Sequence, residues 1–260
     1  MTRSAPHGRQ LLVTCEHASP AVPKELADLG LPRAVLRSHR GWDPGALGIA
    51  EAIARTFAVP LHRGQWSRLV ADLNRSKDHA RVVAERVDGR PVPGNQLDAA
   101  ALAQRLRTYW RPYRQQAETA ITAAARSTGV LHLSVHSFTP KLGGVERRND
   151  IGLLCDPQRP LEVAFCDALK KELVARGLSV RRNFPYFGNT DGFTTHLRTR
   201  LPVRRYLGIE IECNQRLVAK AAGERKVAAV LVAALQAMEL AASLPVPMQP
   251  AARRSERSGR

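Results

Sequence analysis

The chain of 260 residues is long enough for one large α/β domain or two small ones, and at 44% hydrophobic but only 5% aromatic its core must rest on Ala, Leu, Val and Ile. It contains no apolar run of about eighteen residues, which excludes a membrane-spanning helix. The net charge of +17 admits nucleic acid or small anions as partners, but the basic residues are spread out and no RNP, helix-turn-helix or zinc-finger pattern accompanies them.

The opening MTRSAPHGRQ lacks a secretory apolar region, so a cytoplasmic location is the default expectation. Residues 11–15, LLVTC, read as a short buried strand followed at once by Glu16 and His17. Residues 44–57 read as a helix, with Pro44 in its first turn. The Gly/Pro-rich stretch 88–95 is a loop, and 98–126 gives one long amphipathic helix or two. VLHLSVH at 130–136 and IGLLC at 151–155 are further buried strands. Residues 160–176 form a helix stopped by Gly177, LSVRR at 178–182 a short strand, and 183–198 a loop. YLGIEIE at 206–212 is the last strand, and the Ala-rich 218–242 a closing helix. The alternation predicts a single α/β domain over 1–244, with a mostly parallel, twisted sheet flanked by helices, and a disordered basic tail over 245–260. Cys15, Cys155, Cys166 and Cys213 form no CxxC pair and read as free buried thiols.

Sites in such sheets lie at the carboxyl ends of strands, and His17, His136 and Glu212 all fall there. Small neighbours Ala18 and Ser19 leave room beside His17 for a metal and a substrate; alone, such a histidine is more often structural. His136 either points into a cleft or bonds a backbone carbonyl in the core, and His132, on the same strand face, is a partner behind it or simply buried. Asp43 precedes a helix and is either its N-cap or an oxygen ligand; a His/carboxylate/His set with one open position is how catalytic zinc is commonly held. Glu16 competes for the third place. Glu210 and Glu212 share a strand face, where two unpaired carboxylates are costly, so a cleft holding a cation explains them better than a core. Arg68 and Arg75, around the apolar LVADL, and Arg147 and Arg148 can grip carboxylates, or belong to surface ion pairs. Asn189, Thr190 and His196 lie in the loop reading of 183–198 and are candidates for substrate contact.

TCEHAS at 14–19, WDPGA at 42–46, SRLVADLNR at 67–75, HSFTP at 136–140, DIG at 150–152, PYFGNTDGFTTH at 185–196 and IEIECNQRL at 209–217 together resemble the N-formylglutamate amidohydrolase family, in its EHAS-motif branch. The motifs span roughly 11–220; each is weak and their order is specific. The resemblance implies a zinc-exopeptidase or phosphorylase-hydrolase-like fold. It implies one zinc ion held by His17, Asp43 and His136, with Glu212 as general base. Glu16 stands where a proline is commoner in the family. The implied reaction is hydrolysis of N-formyl-L-glutamate, or another N-acyl amide, to formate and the amine, with His196 or an arginine assisting at the oxyanion. Arg68, Arg75, Arg147, Arg148, Asn189 and Thr190 would hold a small anionic N-acyl amino acid. The rivals are a zinc amidase acting on a peptide or cell-wall fragment, and a non-enzymatic basic protein binding anions or nucleic acid.

Overall fold

The computed structural model describes residues 4–5 and 8–243. In chain order, β1 (Ser4–Ala5) and β2 (Arg9–Cys15) lead to the short α1 (Arg33–Leu36), then α2 (Ala46–Phe57) and β3 (Leu61–Arg63). A small hairpin of β4 (Arg86–Val87) and β5 (Arg90–Pro91) precedes α3 (Ala99–Arg105), which passes through a π-turn at Leu106–Trp110 into α4 (Arg111–Ser127). Next come β6 (Val130–Phe138), the hairpin of β7 (Lys141–Leu142) and β8 (Val145–Glu146), β9 (Ile151–Leu154), α5 (Pro160–Ala175) and β10 (Val180–Arg182). The chain closes with α6 (Phe193–Arg200), β11 (Tyr206–Asn214), α7 (Gln215–Val218) and α8 (Ala221–Ser243).

One seven-stranded sheet organises the domain in the order β1-β2-β6-β11-β9-β10, with β3 beside β2. β2, β3, β6 and β11 run parallel, whereas β9 is antiparallel to β11 and β10 follows β9. The carboxyl ends of β2, β6 and β11 therefore open on the same edge.

The two faces of this sheet differ in chemistry. Side chains alternate along a strand, so Leu11, Val13 and Cys15 of β2, Leu131, Leu133 and Val135 of β6, and Leu207, Ile209, Ile211 and Cys213 of β11 share one face. They pack there with Ile49 and Ile53 of α2, Leu169 and Leu173 of α5, and Leu231 and Leu235 of α8 in the main core. The other face is apolar only towards the amino ends, where Leu12, Val130 and Tyr206 meet Ala117 and Ile121 of α4 and Phe193 and Leu197 of α6. Towards the carboxyl ends it carries Thr14, His132, Ser134, His136, Glu210 and Glu212, all buried. Buried polar groups need partners, so this half-face forces a site. A third cluster, built on Leu29, Leu69, Val70 and Val92, supports the excursion between β2 and α3.

Several boundaries differ from the sequence reading. α2 begins at Ala46, not Pro44, because Gly45 takes a left-handed φ of 80° and a side chain there would meet Val218. The 98–126 helix divides at the π-turn, where Pro112 offers no N–H to the carbonyl four residues earlier. Residues 193–198 of the 183–198 stretch read as loop belong to α6, and the closing helix read over 218–242 is α8, preceded by the short α7, which Asn214 caps by accepting from Arg216 N–H at 3.1 Å. The four cysteines are free and buried, as expected. Among the described residues no helix is long and apolar enough to cross a membrane. The basic tail after residue 244 lies outside the described residues.

Candidate metal centre and its cleft

Each centre residue is placed by a different element. His17 follows β2 by two residues, Asp43 lies just before α2, and His136 sits near the end of β6. All three are buried, and one donor atom from each lies within 4.8 Å of the others. Asp43 Oδ2 lies 3.3 Å from His17 Nδ1 and 2.8 Å from His136 Nδ1. Its side chain does not cap α2; Gly45 occupies the cap position, and Asp43 gives that helix only its backbone carbonyl, to Ala46 N–H at 3.2 Å.

The outward nitrogens of both rings meet carboxylates. His17 Nε2 lies 2.7 Å from Asp72 Oδ1, and His136 Nε2 lies 3.1 Å from Glu16 Oε2. Those carboxylates are held in turn. Asp72 accepts from Arg68 at 2.9 Å and from Asn74 N–H at 3.0 Å. Glu16 accepts from Ser134 Oγ at 2.6 Å and from the Tyr113 hydroxyl at 2.9 Å. Glu16 thus stands behind His136, outside the His17–Asp43–His136 group. Arg68 also reaches Asp43 Oδ1 at 3.4 Å, tying one centre carboxylate to the partner of His17.

The electrostatics follow this arrangement. Burial opposes charge on every member, yet the facing imidazoles hold Asp43 below the usual carboxylate range, and Arg68 and His17 do the same for Asp72. Burial is likewise overcome at His136, whose bonds to Asp43 and Glu16 favour the imidazolium; at His17, Asp72 and Asp43 outweigh burial and Arg68. A donor set of this kind suits a cation. Two Nδ1 atoms gathered on one carboxylate oxygen need positive charge between them, which ring protons or a bound cation can supply; with each Nε2 donating to a carboxylate, a cation would find a lone pair at each Nδ1. A divalent cation that takes two imidazole nitrogens and a carboxylate oxygen matches the donor chemistry, and His17, Asp43 and His136 would hold it.

Glu212 sits beside this group. In the β6–β11 register it lies opposite His136, and one of its oxygens, Oε2, is buried without a hydrogen-bond partner among the described residues. Burial, with help from the Asp43 and Glu210 carboxylates, pushes Glu212 up to about 8 against the pull of His136 and His17. Glu210 differs: its Oε1 accepts from Thr194 Oγ1 of α6 at 2.6 Å. His132 sits between Thr14 Oγ1 at 2.8 Å and the Tyr206 hydroxyl at 2.9 Å, and burial lowers it to about 4, so it is a neutral structural residue.

The group opens into a cavity of about 360 Å³. Arg68, Arg75 and Thr190 of the sequence candidates line it, together with Arg40, Arg81 and Tyr186, which the sequence reading did not single out. Most of these arginines are already paired: Arg40 with Asp88, Arg68 with Asp43 and Asp72, and Arg75 with the Asp191 backbone carbonyl at 2.9 Å. Arg81 has no carboxylate partner among the described residues and is exposed. Arg148 points to solvent with Glu146, Asn189 is exposed away from the cavity lining, and Arg147 reaches only as far as the Tyr186 hydroxyl at 3.2 Å. His196 is not brought to the cleft: it stacks on Phe193 and pairs with Glu118 of α4 at 3.3 Å.

The chain is similar in structure to the gene product Atu2144 from Agrobacterium tumefaciens, at 30% identity, a TM-score of 0.79 and coverage of 92% of this chain and 96% of that one. It is also similar to the N-formylglutamate amidohydrolase from Ralstonia eutropha, at 22% identity and a TM-score of 0.70, covering 91% and 96% of the two chains. No curated protein matches it. The family model for N-formylglutamate amidohydrolase matches residues 9–219, from the start of β2 to just past α7, and on that match the chain belongs to the N-formylglutamate amidohydrolase family.

Proposed function

We propose that this amidohydrolase is zinc-dependent and releases the acyl group from an N-formyl amino acid, with N-formyl-L-glutamate as the first substrate to test. One observation carries the reading: two imidazole Nδ1 atoms converge on Asp43 Oδ2, each ring is backed by a carboxylate, and the unpartnered oxygen of Glu212 lies alongside. His17, Asp43 and His136 would hold the ion. When bound, zinc supplies Lewis acidity, lowering the pKa of a ligated water from about 15.7 to about 7.

The chain's own groups do the rest. Glu212 takes the proton from the attacking water at its free oxygen; burial favours its protonated form, and a cation held beside it would favour the carboxylate that accepts the proton. It returns the proton to the amide nitrogen as the C–N bond breaks, so one water and one N-formyl amino acid give formate and the free amine. Glu210 is engaged by Thr194 and anchors α6. Asp72 and Glu16 keep the ring protons on Nε2, leaving Nδ1 free to ligate. Arg81, the cleft guanidinium without a carboxylate partner among the described residues, meets a substrate carboxylate; Arg75 is held by Asp191, and Arg68 is committed to Asp43 and Asp72 and braces the centre.

The test is elemental analysis of purified protein combined with formate release from N-formyl-L-glutamate, N-acetyl-L-glutamate and a formylated peptide. One zinc per chain and metal-dependent formate release support the reading. Turnover of the peptide alone moves the assignment to a peptide amidase, and turnover that survives complete removal of metal sinks the zinc mechanism.

A further inference from the structure

Tyr186 is a cleft residue that the reading above does not use. Its loop, between β10 and α6, is fastened at several points. The Asn183 side chain accepts from Cys155 N–H at 3.0 Å and from Gly188 N–H at 3.2 Å. The Gly188 carbonyl receives Arg198 of α6 and, at 3.3 Å, Thr195 Oγ1. The Phe184 carbonyl rests so close to Gly152 of β9 that a Cβ there would lie 2.1 Å from it. A loop bound to β9 and α6 at both ends presents Tyr186 in a set position.

The hydroxyl of Tyr186 is oriented as well. Arg147 NH1 donates to it at 3.2 Å, and the same guanidinium carbon lies 5.1 Å from the ring centroid. With one lone pair so engaged, the phenolic proton is free, and among the described residues no acceptor receives it. Tyr186 lines the same cavity as His17, Asp43, His136 and Glu212. Burial pushes the Tyr186 hydroxyl up, with the Glu212 and Asp43 carboxylates adding to the shift and Arg147 opposing it. Tyr186 is 40% exposed, and a hydroxyl donor without an acceptor among the described residues, in the cavity where an amide carbonyl would gain negative charge, has the character of an oxyanion donor.

We propose that Tyr186 is a catalytic residue that donates its O–H to the substrate carbonyl oxygen as charge develops there, and that Arg147 is its positioning residue and not a carboxylate anchor. The role rests on the amide-hydrolysis reading above. No proton is transferred: the hydrogen bond shortens as the tetrahedral species forms and relaxes as the carbonyl returns. A cationic donor to the phenol oxygen strengthens the O–H as a donor.

The experiment compares wild type with Tyr186→Phe, Arg147→Met and Arg147→Lys. Zinc content, kcat and KM are measured with N-formyl-L-glutamate. Dissociation constants are measured for the methylphosphonamidate of L-glutamate, a tetrahedral anion, and for L-glutamate, which has no carbonyl at the reacting position. Tyr186→Phe is expected to lower kcat by about 10²-fold, the loss typical of one oxyanion donor. It should weaken the phosphonamidate to a similar degree and leave zinc content, KM and L-glutamate affinity within about twofold. Arg147→Met should lower kcat by about 10-fold with KM unchanged, and lysine should restore part of it. Full kcat and full phosphonamidate affinity in Tyr186→Phe overturn the role of Tyr186. A rise in KM in Arg147→Met, matched by weaker L-glutamate binding, overturns the positioning role and makes Arg147 the anchor. Wild-type protein that binds zinc yet hydrolyses no N-acyl amino acid overturns the amide-hydrolysis reading itself, and this role with it.

Discussion

Asp72→Asn probes the support of the proposed centre without removing any donor from it. The substitution preserves shape and one carbonyl oxygen, and removes the charge that faces His17 Nε2 at 2.7 Å and Arg68 at 2.9 Å. Both contacts are shielded, since Asp72 is only 6% exposed, so solvent does not replace what is lost. Hydrogen bonds to a charged group contribute about 1.5–3 kcal/mol, roughly twice a neutral one, so the change should cost on the order of 1–2 kcal/mol at His17. The asparagine can also turn its amide towards His17, which would put a proton on the wrong side of the ring for ligation. Removing an acceptor behind a metal-bound histidine weakens affinity about 10–100-fold, or about 1.4–2.8 kcal/mol, and the two figures agree. The assay is competition for zinc against a chromophoric chelator, with melting curves of the metal-free and loaded protein. Zinc affinity within about twofold of wild type would refute the reasoning. So would an equal loss of melting temperature in both forms, since that result makes Asp72 a partner of the fold alone.

Glu212→Gln should retain zinc and lose about 10²–10⁴-fold in kcat, whereas Glu210→Gln should lose far less; formate-release kinetics on both variants decide, and a reversed order transfers the base to Glu210. His136→Ala should abolish zinc binding while circular dichroism stays native, because the main core lies on the opposite sheet face; retained zinc in the variant removes His136 from the centre. The metal-free protein should lose stability as pH rises above about 6.5; between about 4.5 and 6.5 the lowered His132 gains stability with rising pH and offsets Glu212. Glu212, displaced from 4.5 to about 8, holds its proton in the fold, so its contribution is complete below about 4.5 and lost by about pH 8. At about 1.4 kcal/mol per pH unit that is roughly 5 kcal/mol. The raised His17 and His136 act in the same direction above about 6.5. Melting curves of chelated protein above about pH 6.5 test the sign, and Glu212→Gln should reduce the loss between about 6.5 and 8. Arg81→Ala should raise KM about 10-fold for N-formyl-L-glutamate and hardly affect a neutral N-formyl amide; equal effects on both substrates make Arg81 a surface residue.

The sequence carried the centre better than its support. His17, His136 and Glu212 stand out because each ends a short apolar run, and parallel strands necessarily bring such ends to one edge. The two-residue alternation also put Glu210 and Glu212 on one face, though only the Thr194 contact tells them apart. The pairing of Asp72 with His17 was not legible: the residues lie far apart in sequence, no periodicity links them, and LVADL marks only a carboxylate among apolar neighbours. His196 misled for a definite reason. Glycine and hydroxyl residues gave 183–198 the look of a loop, but Asn74 Oδ1 accepts Phe193 N–H at 2.8 Å and starts α6, which then turns His196 towards α4. Arginines were legible as a crowd and not as individuals, because ion pairing with Asp88, Asp191, Asp43 and Asp72 decides which guanidinium stays available.

Glu212 faces His136 because β6 and β11 pair in a single register along their whole length, from Tyr206–Val130 to Asn214–Phe138. The distance between the proposed base and a proposed ligand is therefore a strand-to-strand spacing of about 4.8 Å, a constant of β-structure that no loop adjusts. Arg75, Arg81 and Thr190 all lie outside that ladder, in connecting segments. Insertions or substitutions there can re-tailor what enters the cleft while the ladder keeps the reactive pair in place. Divergence in substrate choice among such chains is then separable from divergence in chemistry, and a chimaera exchanging the 187–192 segment, which leaves Tyr186 in place, should inherit preference from the donor of the segment and hydrolytic competence from the donor of the rest.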